Sequence, residues 1–194
     1  LLEETGQILE VGEWALAQAT TDYLAWRSAG LQAPRIAVNV SPIQFRKKDF
    51  VQDVKNVVHC NGDPVELDLE ITESTLMENV HEHLDKMLQL KQAGFNIIVD
   101  DFGTGYSSLS YLTRLPISAL KIDRSFIVGM ATTLQSRLIV SAIVSLAHNL
   151  NLQVTAEGVD AEDQLEILKE LRCDSIQGFL VSKPVPASVI AQLL

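Results

Sequence analysis

The feature that most constrains the fold is a repeated alternation of short apolar strands with helices, in which each predicted strand has a polar residue at or near its C-terminal end. These residues are Asn39, Glu70, Asp100, Lys121, Glu157 and Gln177. Strands that alternate with helices pair in parallel through right-handed crossovers, so their C-terminal ends lie at one edge of the sheet. The alternation therefore predicts an α/β fold with its polar side chains along one edge.

Two parallel architectures fit this alternation. In a β/α barrel the strand ends converge on one face, whereas in an open doubly wound sheet only those near the switch point meet a ligand. Six contributors to one site favour the barrel. A closed barrel needs eight strands, so the chain is expected to be a TIM-type (β/α) barrel that lacks about two N-terminal strands.

Apolar spacing predicts where the elements lie. The expected strands cover residues 35–41, 65–72, 96–101, 119–123, 153–159 and 175–181, and the longer helices cover 5–28, 44–59, 79–94 and 133–149, with another from Asp160. With 194 residues and 47% hydrophobic content, the chain is long enough for one domain with a substantial core. A single domain over residues 1–194 is expected.

Charge and cysteine content exclude some classes of function. A net charge of −10 disfavours attraction to a polynucleotide or an anionic membrane. The sequence has no run of 18 apolar residues and no signal-peptide pattern, which predicts no direct membrane contact by this segment. Cys60 and Cys173 have no metal-like spacing, which favours a reducing, cytoplasmic location, although a parent protein could be tethered to a membrane.

The stretch 96–108 joins an apolar strand, two adjacent acids and a loop containing Gly103 and Gly105. Neighbouring strand residues point to opposite faces, so Asp100 and Asp101 are not expected to share one solvated side. A compensating group is needed, and a hard divalent cation is favoured. The alternative for an Asp-Asp pair is a helix cap or a turn. Three aliphatic residues before the pair and Phe-Gly after it favour the cation.

The oxygen-rich set of Asn39, Glu70, Asp100 and Asp101 suits Mg²⁺ or Mn²⁺ rather than zinc, because no cysteine or histidine joins it. Two such ions that share a bridging carboxylate could clamp the attacking and leaving oxygens of a phosphoryl transfer. They would also reverse the local field, which would allow an acidic protein to hold an anionic ester.

Four further residues each have two or more interpretations. Lys121 lies in an apolar strand, so it forms an ion pair, orients a water nucleophile or offsets phosphate charge. Glu157 could be a metal ligand or a general base. Gln177 could bind a nucleobase edge or satisfy strand backbone groups. Glu73 could belong to the site or to the solvated face of an edge strand.

Six ordered motifs extend over most of the chain. They are Val38-Asn-Val-Ser41, Leu69-Glu-Ile-Thr-Glu73, Asp100-Asp-Phe-Gly-Thr-Gly-Tyr-Ser-Ser108, Lys121-Ile-Asp-Arg-Ser-Phe126, Ala156-Glu-Gly-Val159 and Gln177-Gly-Phe179. Together they resemble the EAL family of bacterial cyclic di-GMP phosphodiesterases. The resemblance implies a modified β/α barrel with one antiparallel strand, and hydrolysis of cyclic di-GMP to linear pGpG with Mg²⁺ or Mn²⁺, two ions being expected.

The resemblance also implies a role for each site residue. Asn39, Glu70, Asp100 and Asp101 correspond to metal ligands, with Asp101 touching both ions. Lys121 and Glu157 would position or activate the water. Gln177 and Asp123 would contact the substrate, and Glu73 would anchor the loop 103–108, which also couples to dimerisation.

Three departures from the family pattern stand out. The Glu-Ala-Leu segment that names the family, with its metal-binding Glu and a nearby phosphate-binding Arg, is absent from this sequence, which agrees with the count of two missing strands. Asp160 stands where a Glu is usual after Ala-Glu-Gly-Val. Phe179 replaces the usual tyrosine after Gln-Gly and removes a hydroxyl.

A competing interpretation is an inactive EAL domain that binds cyclic di-GMP or another protein. Retention of Asp100, Asp101, Lys121 and Glu157 argues against it, because a pure binder needs no water-activating set. The resemblance further implies a homodimer and a parent protein with regulatory or sensory domains such as GGDEF or PAS.

Overall fold

The structure is a computed structural model that describes residues 2–58, 65–105 and 109–194. In these ranges the strands are β1 Ile36–Asn39, β2 Leu67–Thr72, β3 Asn96–Phe102, β4 Ala119–Ile122, β5 Gln153–Glu157 and β6 Ser175–Gln177. The helices are α1 Ile8–Ser28, α2 Pro42–Arg46, α3 Phe50–Val58, α4 Glu73–Met77, α5 Val80–Gln92, α6 Leu109–Leu112, α7 Arg124–Val128, α8 Leu134–Asn149, α9 Glu162–Glu170 and α10 Ala187–Ile190. Cys60, the predicted end of the second helix at residue 59, and residues 106–108 of the predicted loop lie outside the described ranges.

The described residues form two compact units. The first comprises residues up to 71 together with 81–97 and 185–194, and the second comprises 72–80 and 98–184. Each unit contains parallel strands, as the strand and helix alternation predicts. Among the described residues, no helix combines the length and the apolar character needed to cross a membrane.

In the first unit, β1 and β2 pair in parallel with Asn39 opposite Glu70. Arg35 holds the edge where these strands begin: its Nε donates to Asp68 Oδ1 at 2.5 Å and one terminal nitrogen donates to the carbonyl of Leu67 at 2.6 Å. Because a guanidinium can serve several acceptors at once, one side chain ties the two strand starts together.

The single helix predicted over residues 44–59 is wrong, because the structure has two helices there. Ser41 and Gln44 form a reciprocal capping box, and Pro42 occupies the first turn, so α2 begins earlier than predicted. Lys47 adopts φ −55° and ψ 136°, which ends α2 after Arg46. The apolar periodicity of the segment continues across this break, which is why the sequence pattern alone suggested one helix.

In the second unit, β3, β4, β5 and β6 pair in parallel in chain order. The last two strands are shorter than the predicted 153–159 and 175–181. Gly158 has φ +68°, which takes the chain out of the extended conformation after Glu157. A Cβ on Gly178 would lie 2.1 Å from the carbonyl oxygen of Val159, so the chain passes against that backbone instead of extending β6.

Within the described part of the chain, four helices are followed by a residue in the left-handed conformation: Gly30, Gly94, Asn151 and Arg172, with φ between +57° and +93°. This conformation closes the last helical turn and suits glycine because it has no Cβ. Arg172 is the exposed member of this set that carries a long side chain. It therefore holds an unfavourable backbone conformation.

Arg172→Gly is expected to stabilise the protein by about 0.5–1 kcal/mol, because glycine removes the strain of the left-handed conformation. The greater entropy that glycine gives the unfolded chain opposes this gain and offsets part of it. The free energy of unfolding from urea titration measures the effect. Arg172→Ala is the matched control, since alanine loses the same side chain and keeps the strain. Equal stability changes in both variants would contradict the prediction.

Candidate metal and catalytic site

Asp100 and Asp101 lie at an irregularity in β3. The register against β4 shifts between Val99 and Phe102, and Asp101 has φ +53°. Its backbone N–H donates to Asp100 Oδ1 at 3.0 Å. A bulge of this kind re-aims side chains that a regular strand would alternate. The expectation that the two carboxylates cannot share one side is therefore wrong, because the strand is not regular at this point.

Glu157, at the end of β5, joins the two aspartates. Each of Asp100, Asp101 and Glu157 offers a carboxylate oxygen, and these oxygens all lie within 4.8 Å of one another. Three carboxylates at this separation repel one another unless a positive charge lies among them. The cluster is therefore expected to have a positively charged partner.

Lys121 supplies part of that positive charge. It is buried in β4, and its Nζ lies 2.5 Å from Glu157 Oε1 and 3.5 Å from Asp100 Oδ1. The ion-pair interpretation of Lys121 is therefore observed, and its partners are residues of the site itself. A lysine held in this way is also placed to act on a ligand that approaches Glu157.

The ionised forms of Asp101 and Glu157 remain unfavourable in spite of the positive charge of Lys121. Burial raises the pKa of Asp101, and the charges of Asp100 and Asp123 raise it further. Burial also raises the pKa of Glu157, although the hydrogen bond from Lys121 opposes this change. One ammonium group thus compensates only part of the negative charge.

A divalent cation fits this arrangement. The donor atoms are carboxylate oxygens, which Mg²⁺ and Mn²⁺ prefer, and no sulfur or imidazole joins them within the described residues. The raised pKa values show that the acids are ionised only at a cost, which a cation among them would offset. Asp100, Asp101 and Glu157 could therefore hold a metal ion in the second unit.

Glu73 contacts the loop that follows the aspartates. It is buried, 1% exposed, and is the first residue of α4. Its Oε2 accepts the Gly103 N–H at 2.8 Å, and a Cβ on Gly105 would lie 3.0 Å from its Oε1. The acid thus lies inside the second unit and not on a solvated strand face.

Gln177 and Asp123 lie beside the cluster in different ways. Gln177 is the strand partner of Glu157 and is exposed at the end of β6. Asp123 follows β4 and caps α7: its Oδ1 accepts the N–H of Ser125 at 3.0 Å. The negative charge of Asp123 nevertheless contributes to the raised pKa of Asp101.

Asn39 and Glu70 belong to the first unit. Asn39 ends β1 and is exposed, and Glu70 is its partner in β2 and is buried. The structure therefore brings these two residues side by side. Their proposed part in a metal site remains a prediction.

One charged residue near the site, Arg124, was not predicted from the sequence. Arg124 opens α7 and pairs with Asp160 at 3.0 Å. The sequence signal was its place directly after Asp123, just beyond the end of a strand.

Comparisons with known proteins agree on one family. The EAL domain family matches residues 1–184. The chain is 47% identical over 188 residues to the bifunctional diguanylate cyclase/cyclic di-GMP phosphodiesterase MucR of Pseudomonas aeruginosa, covering 96% of this chain and 27% of that protein. It is 37% identical over 195 residues to the cyclic di-GMP phosphodiesterase NbdA of the same organism, covering 100% of this chain and 25% of that protein.

A solved structure of the MucR phosphodiesterase in complex with c-di-GMP matches with a TM-score of 0.94 and 47% identity, covering 100% of this chain and 78% of that chain. This match confirms the predicted fold class, a modified TIM-type α/β barrel. The chain spans about a quarter of the length of the curated relatives that it matches.

The strained acids lead to a prediction about stability without metal. Asp101 and Glu157 have folded-state pKa values above those of the unfolded chain, so the folded state binds more protons in the window between the two. Stability therefore falls as pH rises through this window. Asp101→Asn should raise the Tm of the metal-free protein at pH 7, and the difference should shrink toward pH 4.

Calorimetry at several pH values in the presence of a chelator measures this effect. Asp85→Asn is the control, because Asp85 is exposed on α5. Mn²⁺ should raise the Tm of the parent chain more than that of Asp101→Asn. A Tm for Asp101→Asn at or below that of the parent at pH 7 would show that the site acids are not strained.

Proposed function

Since the chain belongs to the EAL domain family, we propose that it is a phosphodiesterase domain that hydrolyses cyclic di-GMP to linear pGpG with Mg²⁺ or Mn²⁺. The observation that carries this proposal is the convergence of Asp100, Asp101 and Glu157 around Lys121. A domain that only bound the dinucleotide would have no need of a partly buried acid paired with a buried lysine. Relatives that are named cyclic di-GMP phosphodiesterases support the choice of substrate.

Glu157 is the proposed general base. Its raised pKa brings it closer to neutral pH, where a base combines the ionised form with useful proton affinity. Lys121 holds one oxygen of the carboxylate at 2.5 Å, which fixes its direction and leaves the other oxygen to accept a proton from the attacking water. Lys121 also carries a positive charge that suits a phosphate.

Asp100 and Asp101 are the proposed metal ligands in the second unit, and Asn39 and Glu70 are proposed as the ligands from β1 and β2 on the basis of the sequence motifs. The ions, when bound, would offset the phosphate charge and stabilise the oxygens that carry charge in the transition state. Two ions are proposed because the resemblance gives Asp101 a bridging role.

Glu73 is the proposed anchor of the loop 103–108. Its hydrogen bond to the Gly103 N–H supports this role, because Gly103 lies two residues after Asp101. Gln177 and Asp123 are proposed to contact the substrate. Gln177 is exposed directly beside Glu157, where it could meet a guanine edge.

The whole chain is proposed to be a single EAL domain of a larger cytoplasmic signalling protein. Homodimerisation and control by domains such as GGDEF or PAS follow from the family resemblance. The name of MucR includes a diguanylate cyclase activity, which supports a parent of several domains.

Incubation with cyclic di-GMP and Mn²⁺ tests the activity directly. The chain and a version extended at its N-terminus to include a Glu-Ala-Leu segment are both assayed by chromatography for linear pGpG. Product that requires Mn²⁺ or Mg²⁺ and disappears with chelator is the expected result. Tight binding by the extended protein without product would favour the inactive, ligand-binding alternative.

Asp101→Asn should lower kcat by about 10²–10³-fold, which corresponds to about 3–4 kcal/mol of lost transition-state stabilisation. Asparagine tolerates the left-handed backbone that Asp101 adopts, so circular dichroism should show an intact fold. Asp85→Asn again serves as the charge-matched control. Unchanged kcat in Asp101→Asn would remove this aspartate from the metal site.

Glu157→Gln should lower kcat by about 10²–10⁴-fold, because the amide cannot accept the proton. Metal affinity should change much less if Glu157 is a base, and should fall together with kcat if it is a ligand. Mn²⁺ titration calorimetry separates the two roles. Glu162→Gln, an exposed change in the first turn of α9, is the control.

A further inference from the structure

Residues 158–160, which follow Glu157, are held by other segments of the second unit. Asp160 accepts hydrogen bonds with both of its carboxylate oxygens. Its Oδ2 accepts a hydrogen bond from Arg124 at 3.0 Å, and its Oδ1 accepts the backbone N–H of Phe179 at 3.1 Å. We refer to Arg124, Asp160 and the Phe179 N–H as the Asp160 clamp. It joins the segments that follow β4, β5 and β6.

Backbone hydrogen bonds run parallel to the clamp. The N–H of Val159 donates to the carbonyl of Gln177 at 3.1 Å, and the N–H of Leu180 donates to the carbonyl of Val159 at 3.1 Å. The N–H of Asp160 donates to Gln164 Oε1 at 2.8 Å. The segment after Glu157 and the segment after Gln177 are therefore fixed to each other over several residues.

Close contacts leave residues 158–160 little room to move. A Cβ on Gly158 would lie 2.2 Å from Arg124 Cγ, so the arginine stem lies directly over the residue that follows Glu157. A Cβ on Gly178 would lie 2.1 Å from the Val159 carbonyl oxygen. The residue after Glu157 is thus packed against Arg124 of the clamp, and the residue after Gln177 is packed against the backbone of Val159.

The ion pair within the clamp is not explained by stability. The side chain of Arg124 is 61% exposed and that of Asp160 is 35% exposed, and exposed pairs contribute little to folding because water screens them. Such a pair can instead fix the relative position of the two segments that it joins. Misplacement of a reacting group by about 1 Å can reduce a rate by about 10²-fold.

We propose that Asp160 is a positioning residue that, through Arg124 and the Phe179 N–H, holds Glu157 on Lys121 and keeps Gln177 beside it. This inference rests on the proposed function, because Glu157 matters only if the chain turns over its substrate. Although Asp160 is shorter than the usual Glu, its carboxylate reaches both Arg124 and the Phe179 N–H at hydrogen-bond distance.

A direct role of Arg124 in substrate binding is the alternative, since its guanidinium is exposed and could contact a phosphate. The two roles differ in kinetics. A positioning role lowers kcat and leaves KM nearly unchanged, whereas a phosphate contact raises KM when Arg124 is removed. Under the alternative, removal of the Asp160 charge would free Arg124 and lower KM.

The test compares Arg124→Ala, Arg124→Lys, Asp160→Asn and the double variant of Arg124→Ala with Asp160→Asn in the active protein. Arg124→Ala and Asp160→Asn should each lower kcat by about 10–100-fold with KM within about twofold. The double variant should match the single variants, since both act through one contact. Arg124→Lys should recover most of the rate.

Arg137→Ala is the matched control, because Arg137 forms an ion pair of similar exposure with Glu170 at 2.5 Å, between α8 and α9. It should leave kcat and KM unchanged. A raised KM with unchanged kcat in Arg124→Ala, multiplicative effects in the double variant, or unaltered kcat in Asp160→Asn would each overturn the inference.

A readout without turnover separates this inference from the proposed function. Amide hydrogen exchange of Phe179 should be about tenfold faster in Asp160→Ala than in the parent, because Asp160 Oδ1, which accepts the Phe179 N–H, is lost. Unchanged exchange would overturn the inference even in an active enzyme. If the parent forms no linear product, the proposed function fails, and the exchange rates still decide whether Asp160 fixes the segment at Phe179.

Discussion

The repulsion among three carboxylates, and its partial relief by one buried lysine, is the constraint on which the second unit depends. Asp100, Asp101 and Glu157 offer oxygens within 4.8 Å of one another, and Lys121 contacts two of the three acids. No folding advantage explains such a cluster, since buried charges destabilise a protein unless they are fully compensated. The surrounding contacts are best understood as holding these groups in place against their repulsion.

Three local features of the backbone and its contacts hold these groups in place. The bulge in β3 turns Asp101 and lets its backbone N–H bond to Asp100. Glu73 holds the next turn through the Gly103 N–H, and Gly103 itself lies against the ring of Phe126, where a Cβ would come within 2.9 Å. The segments after β4, β5 and β6 are tied together at Asp160. Each feature fixes backbone next to a charged side chain, as expected where geometry must be kept at the cost of stability.

The sequence predicted the order of the six strands, the longer helices between them and the polar residues at or near the strand ends, because these follow from hydrophobic period and from parallel crossover geometry. It did not predict the short helices α4 and α7. It could not predict the bulge, since a pattern of alternating residues assumes a regular strand. The break in the helix after Arg46 was missed for a related reason: the apolar spacing continues through residue 47, and the break depends on a capping box and on one extended residue. Arg124 was missed because its role depends on a partner 36 positions away.

The two ends of the strand pair β1 and β2 carry different kinds of side chain. Where the strands begin, Arg35 draws together Asp68, the carbonyl of Leu67 and the carbonyl of Gly94 just after α5. Where they end, Asn39 and Glu70 lie side by side. The contacts of Arg35 therefore join the strand starts, at the opposite end of the strands from Asn39 and Glu70. None of the three acceptors of Arg35 belongs to Asn39 or Glu70, so substitution of either side chain removes none of these hydrogen bonds.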